Sequence, residues 1–86
     1  MRKPNYTIIR CQTSDKTKVM DLLCDATEYQ LVRGNTDAIY YNGRTTEEKQ
    51  DTKRLIRFNV AMLKKNGIKA DSKPEYLDNY LFIQLH

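Results

Sequence analysis

The sequence predicts an α+β fold in which two helices lie on one face of a four-stranded antiparallel sheet, in the chain order β-α-β-β-α-β. Three observations carry this expectation. Thr45 to Gly67 reads as one long amphipathic helix with both ends marked. Short runs rich in Tyr, Val, Ile and Leu lie before and after it, and a second, shorter helical pattern separates the first of these runs from the next. At 86 residues and 40% hydrophobic content, the chain makes a single domain, 1–86, with a modest core.

Strand one is expected over Asn5 to Thr13, with Tyr6, Ile8, Arg10 and Gln12 on one face and Thr7, Ile9 and Cys11 on the inward one. Thr13, Ser14 or Asp15 can cap the first helix, expected at about 15 to 27, where Val19, Leu22, Leu23 and Ala26 recur at i, i+3, i+4 and i+7. Glu28 to Arg33 and Ala38 to Asn42 form the next two strands, joined by a four-residue loop at Gly34 to Asp37. The long helix, at about 45 to 66, starts at a capping box made by Thr45 and Glu48 and stops at Lys64-Lys65-Asn66-Gly67, with Ile68 placed to close a Schellman contact. Its apolar side collects Leu55, Ile56, Phe58, Val60, Met62 and Leu63, and Asn59 interrupts that side as a buried amide that needs partners. Ile68 to Lys73 reads as irregular, Pro74 opens a short helical turn over Glu75 to Asn79, and Tyr80 to His86 alternates as the last strand. The arrangement this describes is the ferredoxin-like two-layer sandwich, strand order 4-1-3-2. Its expected core is Ile9, Leu22, Leu23, Ile39, Leu55, Val60, Leu63, Leu81 and Ile83.

The formal charge is +4, and all of it belongs to the long helix and its exit. Thr45 to Lys69 holds seven Lys or Arg against three acids, while the remainder balances at eight against eight. Such a localised excess suits a surface that faces phosphates or an acidic protein partner; a solvated helix face accounts for the same residues without a partner. The chain holds no apolar run near the roughly 18 residues of a spanning helix, so no membrane partner is expected. Met1-Arg2-Lys3-Pro4 leads into a polar-flanked strand, and the expected location is cytoplasmic. Two cysteines, Cys11 and Cys24, exclude a disulfide framework by number.

Catalytic equipment is sparse. His86 is the sole histidine, the acids of residues 15 to 28 lack metal-loop spacing, and Gly34, Gly43 and Gly67 stand alone rather than in a phosphate loop. The sequence therefore predicts a non-catalytic binding module, with no catalytic residue, no metal and no cofactor. Nucleic acid is the first expected partner. Lys53, Arg54, Arg57, Lys64 and Lys65 on the long helix would contact phosphates, and Arg10, Tyr40 (or Tyr41) and Tyr80 (or Phe82) on the open sheet face would stack bases. The RNP pattern of RNA-recognition modules is missing, since strand three reads Asp37-Ala38-Ile39-Tyr40-Tyr41-Asn42. The alternative is a small protein-binding inhibitor or adaptor, for example an anti-defence protein of a phage or mobile element, acting through its sheet face or an edge strand. Homodimerisation through an exposed aromatic face is the third reading.

Overall fold

The computed structural model describes residues 4–76, which form a four-stranded antiparallel sheet and two helices. The elements are β1 (Tyr6–Cys11), α1 (Lys16–Leu22), β2 (Glu28–Val32), β3 (Asn35–Tyr41), α2 (Thr46–Lys65) and β4 (Ala70–Glu75). The sheet runs β2-β3-β1-β4, and every neighbouring pair is antiparallel. No helix among the described residues is long and apolar enough to cross a membrane.

Each end of α2 is closed by the residues that announce it. The Thr45 hydroxyl accepts from the Glu48 N–H at 3.1 Å, while the Glu48 carboxylate accepts from the Arg44 N–H at 3.2 Å, one residue before the cap amide that a strict capping box would use. Gly43 lies so close to this first turn that a Cβ there would sit 2.5 Å from the Cβ of Glu48. At the other end, Ile68 N–H donates to the Leu63 carbonyl at 3.0 Å and Gly67 N–H to that of Lys64 at 3.1 Å, with Gly67 at φ 78°. This is the Schellman motif, and the buried Leu63 and Ile68 supply its apolar contact.

Three expectations about element boundaries are corrected. The hairpin between β2 and β3 turns through two residues, Arg33 (φ 51°) and Gly34 (φ 80°), rather than the four residues 34–37. Two consecutive left-handed residues match the twist of the flanking strands. Asn35, Thr36 and Asp37 consequently join β3. Helix α1 ends at Leu22 instead of near Thr27, because Leu23 is already extended and Asp25 is left-handed. The fourth strand is Ala70–Glu75, a stretch that reads as irregular because its helix-facing residues Ala70, Ser72 and Pro74 are small; the expected strand 80–86, with Leu81 and Ile83, and most of the turn at Glu75 to Asn79 lie outside the described residues. Proline is tolerated there because β4 is an edge strand among the described residues.

The register assigns the faces. Thr7, Ile9 and Cys11 of β1 stand opposite Tyr40, Ala38 and Thr36 of β3 and face the helices. The core there is Ile9, Cys11, Val19, Leu23, Ala38, Tyr40, Ile56, Leu63, Ile68 and Ala70, with Leu22, Leu55 and Val60 partly buried around it. Ile39 is buried too, but on the far face of the sheet, paired with Ile8. Asn59 is fully buried at the centre of the helical layer and finds partners on β3 and in the loop after α1. Its Nδ2 donates to the Tyr40 hydroxyl at 2.8 Å and to the Cys24 carbonyl at 3.1 Å, and its Oδ1 accepts from the Cys24 N–H at 3.4 Å. This amide satisfies both peptide groups of Cys24, one residue beyond the cap of α1 at Leu23.

Truncating Asn59 to Ala leaves those buried groups unmet and is expected to lower the unfolding free energy by about 1–3 kcal/mol, against about 1 kcal/mol for Tyr40→Phe, which removes one hydrogen bond. Urea titration of both variants checks the order, and equal small losses would deny the amide its clamping role.

Candidate phosphate-binding trough along α2

Helix α2 covers the β1–β4 side of the sheet and α1 the β2 side, so one long flank of α2 lies beside the edge strand β4. Three cavities follow that flank. The first, about 340 Å³, includes Lys49, Thr52, Lys53, Ile56 and Pro74; the second, about 290 Å³, includes Ile56, Arg57, Val60, Lys64 and Ser72; the third, about 400 Å³, includes Lys64, Ile68, Lys69 and Asp71. Ile56 is common to the first pair and Lys64 to the second, so the three cavities adjoin one another in a row, here called the trough, between helix and strand.

The sequence explains why cations collect there. At 3.6 residues per turn, Lys49, Lys53, Arg57 and Lys64 fall within an arc of about 80° next to Ile56, and from Lys49 to Lys64 the stripe extends about 22 Å. Successive members at i and i+4 rise about 6 Å, inside the Debye length of about 8–10 Å, so their fields add. Among the described residues, none of Lys49, Lys53, Arg57, Lys64 and Lys69 forms a salt bridge, and Asp71 is the one acid that lines the trough.

Of the helix residues expected to touch phosphates, Lys53, Arg57 and Lys64 line the trough, while Arg54 and Lys65 fall on the outer side of α2. Arg54 there lies 3.9 Å from Asp51, both largely exposed. Lys49 and Lys69 belong to the trough and were missed as a set; the i, i+4, i+8 run of Lys49, Lys53 and Arg57 is the signal that finds the first of them.

The sheet residues behave differently. Tyr40 is 1% exposed and faces the helices, so its ring belongs to the core and is not available to stack on a base. Its open-face neighbour is Tyr41, which meets Tyr6 edge-on at 5.5 Å. Arg10 does face outward, but its guanidinium grips the buried Asp37 carboxylate through Nε at 3.0 Å and Nη2 at 3.1 Å, a bidentate cross-strand pair that neutralises it. Tyr80 lies outside the described residues. By register the described open face carries Arg10 and Lys73 against Glu28, Asp37, Asp71 and Glu75, so its charge leans acidic and repels phosphate.

Of the two thiols, Cys11 is buried and Cys24 exposed. Burial, with Asp37 nearby, pushes the Cys11 thiol from 9.0 up to about 11, which keeps it protonated and unreactive at neutral pH. Burial raises the Tyr40 phenol as well. No group of three or more His, Cys, Asp or Glu that could hold a metal occurs among the described residues. Comparison with protein-family models, curated proteins and solved structures finds no match.

The raised thiol gives an alkaline limit with a definite sign. The folded state holds the Cys11 proton more tightly than the unfolded chain, so that share of stability is complete below pH 9.0 and is lost as the pH rises through about 11. Thermal melts should hold steady up to pH 9 and then fall, and in native protein a thiol reagent should modify Cys24 while sparing Cys11. Rapid labelling of both thiols would contradict the burial of Cys11.

Proposed function

We propose that the protein is a non-catalytic module that binds the phosphate backbone of nucleic acid in the trough between α2 and β4. The observation that carries this reading is the cation stripe of Lys49, Lys53, Arg57 and Lys64 along the helix wall, with Lys69 beyond its end, none of them in a salt bridge among the described residues. The acidic lean of the open sheet face supports the same choice of side. None of the described residues that line the trough is aromatic, so their contacts are to backbone and carry little sequence preference. We assign the architecture to the ferredoxin-like sandwich on the same footing: counted from the β4 edge the order is 4-1-3-2, with Ala70–Glu75 as fourth strand.

A second reading rests on the floor. Ile56, Val60, Ala61 and Pro74 give the trough an apolar base between its cations, which suits an acidic protein segment with apolar side chains, as an inhibitor or adaptor would engage.

Binding of labelled single- and double-stranded oligonucleotides, measured at several salt concentrations, separates the two. Phosphate binding releases counterions, so affinity falls steeply with salt, and Lys53→Ala, Arg57→Ala and Lys64→Ala should each weaken binding and reduce the logarithmic salt slope by about 1. Arg54→Ala and Lys65→Ala serve as controls on the outer side of the helix and should change binding less. No oligonucleotide binding at low salt gives the trough to the acidic protein segment.

A further inference from the structure

Among the described residues, the two edges of the sheet are built differently. β4 carries Lys73 and Pro74, the residues by which sheet edges block further pairing. β2, reading Glu-Tyr-Gln-Leu-Val, carries neither, and Leu31 at its outer end is 54% exposed. The two-residue turn makes Val32 and Asn35 a hydrogen-bonded pair, and alternation then directs the backbone groups of Tyr29 and Leu31 away from β3. The Tyr29 N–H accords with this, since it donates to the carboxylate of the adjacent Glu28 at 3.1 Å.

We propose that this edge pairs with the β2 strand of a second copy of the chain, antiparallel and centred on Gln30. In that register Tyr29 stands opposite Leu31 of the second copy, and Leu31 opposite Tyr29 of the second copy. The outward N–H and C=O groups of these residues form the hydrogen-bonded pairs, and the Glu28 carboxylate yields the Tyr29 N–H. Two aromatic–aliphatic pairs thus form on the helix side, where Leu31 is exposed, and Met20 on α1 is exposed as well. Glu28 falls opposite Val32, so no like charges meet. A strand offering itself two matched apolar pairs and no charge conflict is self-complementary, which is what a two-fold interface requires. Because α2 packs over β1 and β4, this pairing leaves both basic troughs uncovered.

One strand ladder is a small contact, so the association belongs to the weak class. Sedimentation velocity from about 10 μM to about 1 mM covers that class and should show the mass rising toward the dimer. Leu31→Pro removes an N–H that the fold itself does not use, so it should abolish the dimer while circular dichroism and the melting temperature stay near those of the parent. In a Cys24→Ser background, Gln30→Cys should crosslink under mild oxidation, because a non-hydrogen-bonded antiparallel pair holds its Cα atoms about 4.5 Å apart, within disulfide range. Glu28→Cys, facing Val32, should not crosslink. A monomer throughout that range overturns the proposal and leaves the β2 edge to a different protein's strand. A dimer that survives Leu31→Pro, or one that crosslinks at 28 rather than 30, overturns it as well.

Discussion

One buried amide holds the helical layer to the sheet. Asn59 projects from the middle of α2, reaches the Tyr40 hydroxyl on β3 and closes on both peptide groups of Cys24 just beyond α1. A polar side chain in that position is costly unless every group is answered, and here the answer comes from β3 and the loop after α1, both distant in sequence. The requirement therefore fixes three things together: where α1 stops, which face β3 turns inward, and how α2 is rotated about its own axis. A core of apolar side chains alone would tolerate more than one such rotation, since apolar contacts have no direction.

The rotation of α2 decides what its cations can do. With Asn59, Ile56 and Leu63 directed at the sheet, Lys49, Lys53, Arg57 and Lys64 emerge on the flank beside β4 and not on the outermost surface. A stripe at the rim of a concavity focuses its field into the trough, whereas charges on a convex ridge lose theirs to solvent. Arg54 and Lys65 occupy that ridge, with Arg54 near Asp51, so the helix separates its cations into two populations with different surroundings.

Much of this was legible in the sequence, and the failures share a cause. The ends of α2 follow from Thr45, Glu48, Lys64, Lys65 and Gly67 because capping is a local matter. The amide at Asn59 was legible as a residue needing partners, but its partners lie on other elements and no local pattern names them. Tyr40 and Tyr41 are adjacent and chemically alike, so their inward and outward assignment depends on register, which here hangs on a two-residue turn at Arg33 and Gly34. The strand at Ala70–Glu75 carries no apolar alternation to announce it; its place comes from pairing with β1 at the edge of the sheet. On the candidate site, periodicity separated the cations from the core but could not say which flank of the helix would meet β4.

Helix α2 is held at both ends and along its length. Arg44, Thr45 and Glu48 bond around its first turn, the Thr52 hydroxyl donates to the Glu48 carbonyl at 2.8 Å and lies 3.3 Å from the Tyr41 carbonyl, and the Schellman closure seals the last turn. The backbone beneath the cation stripe thus has little freedom left to lose. Ordering on contact with a partner would fall on lysine and arginine side chains alone, each at an entropic cost of about 0.5–1.5 kcal/mol. A rigid rod bearing flexible charges is a comb rather than a mould: the spacing of its teeth is fixed, while each tooth stays free to move by itself.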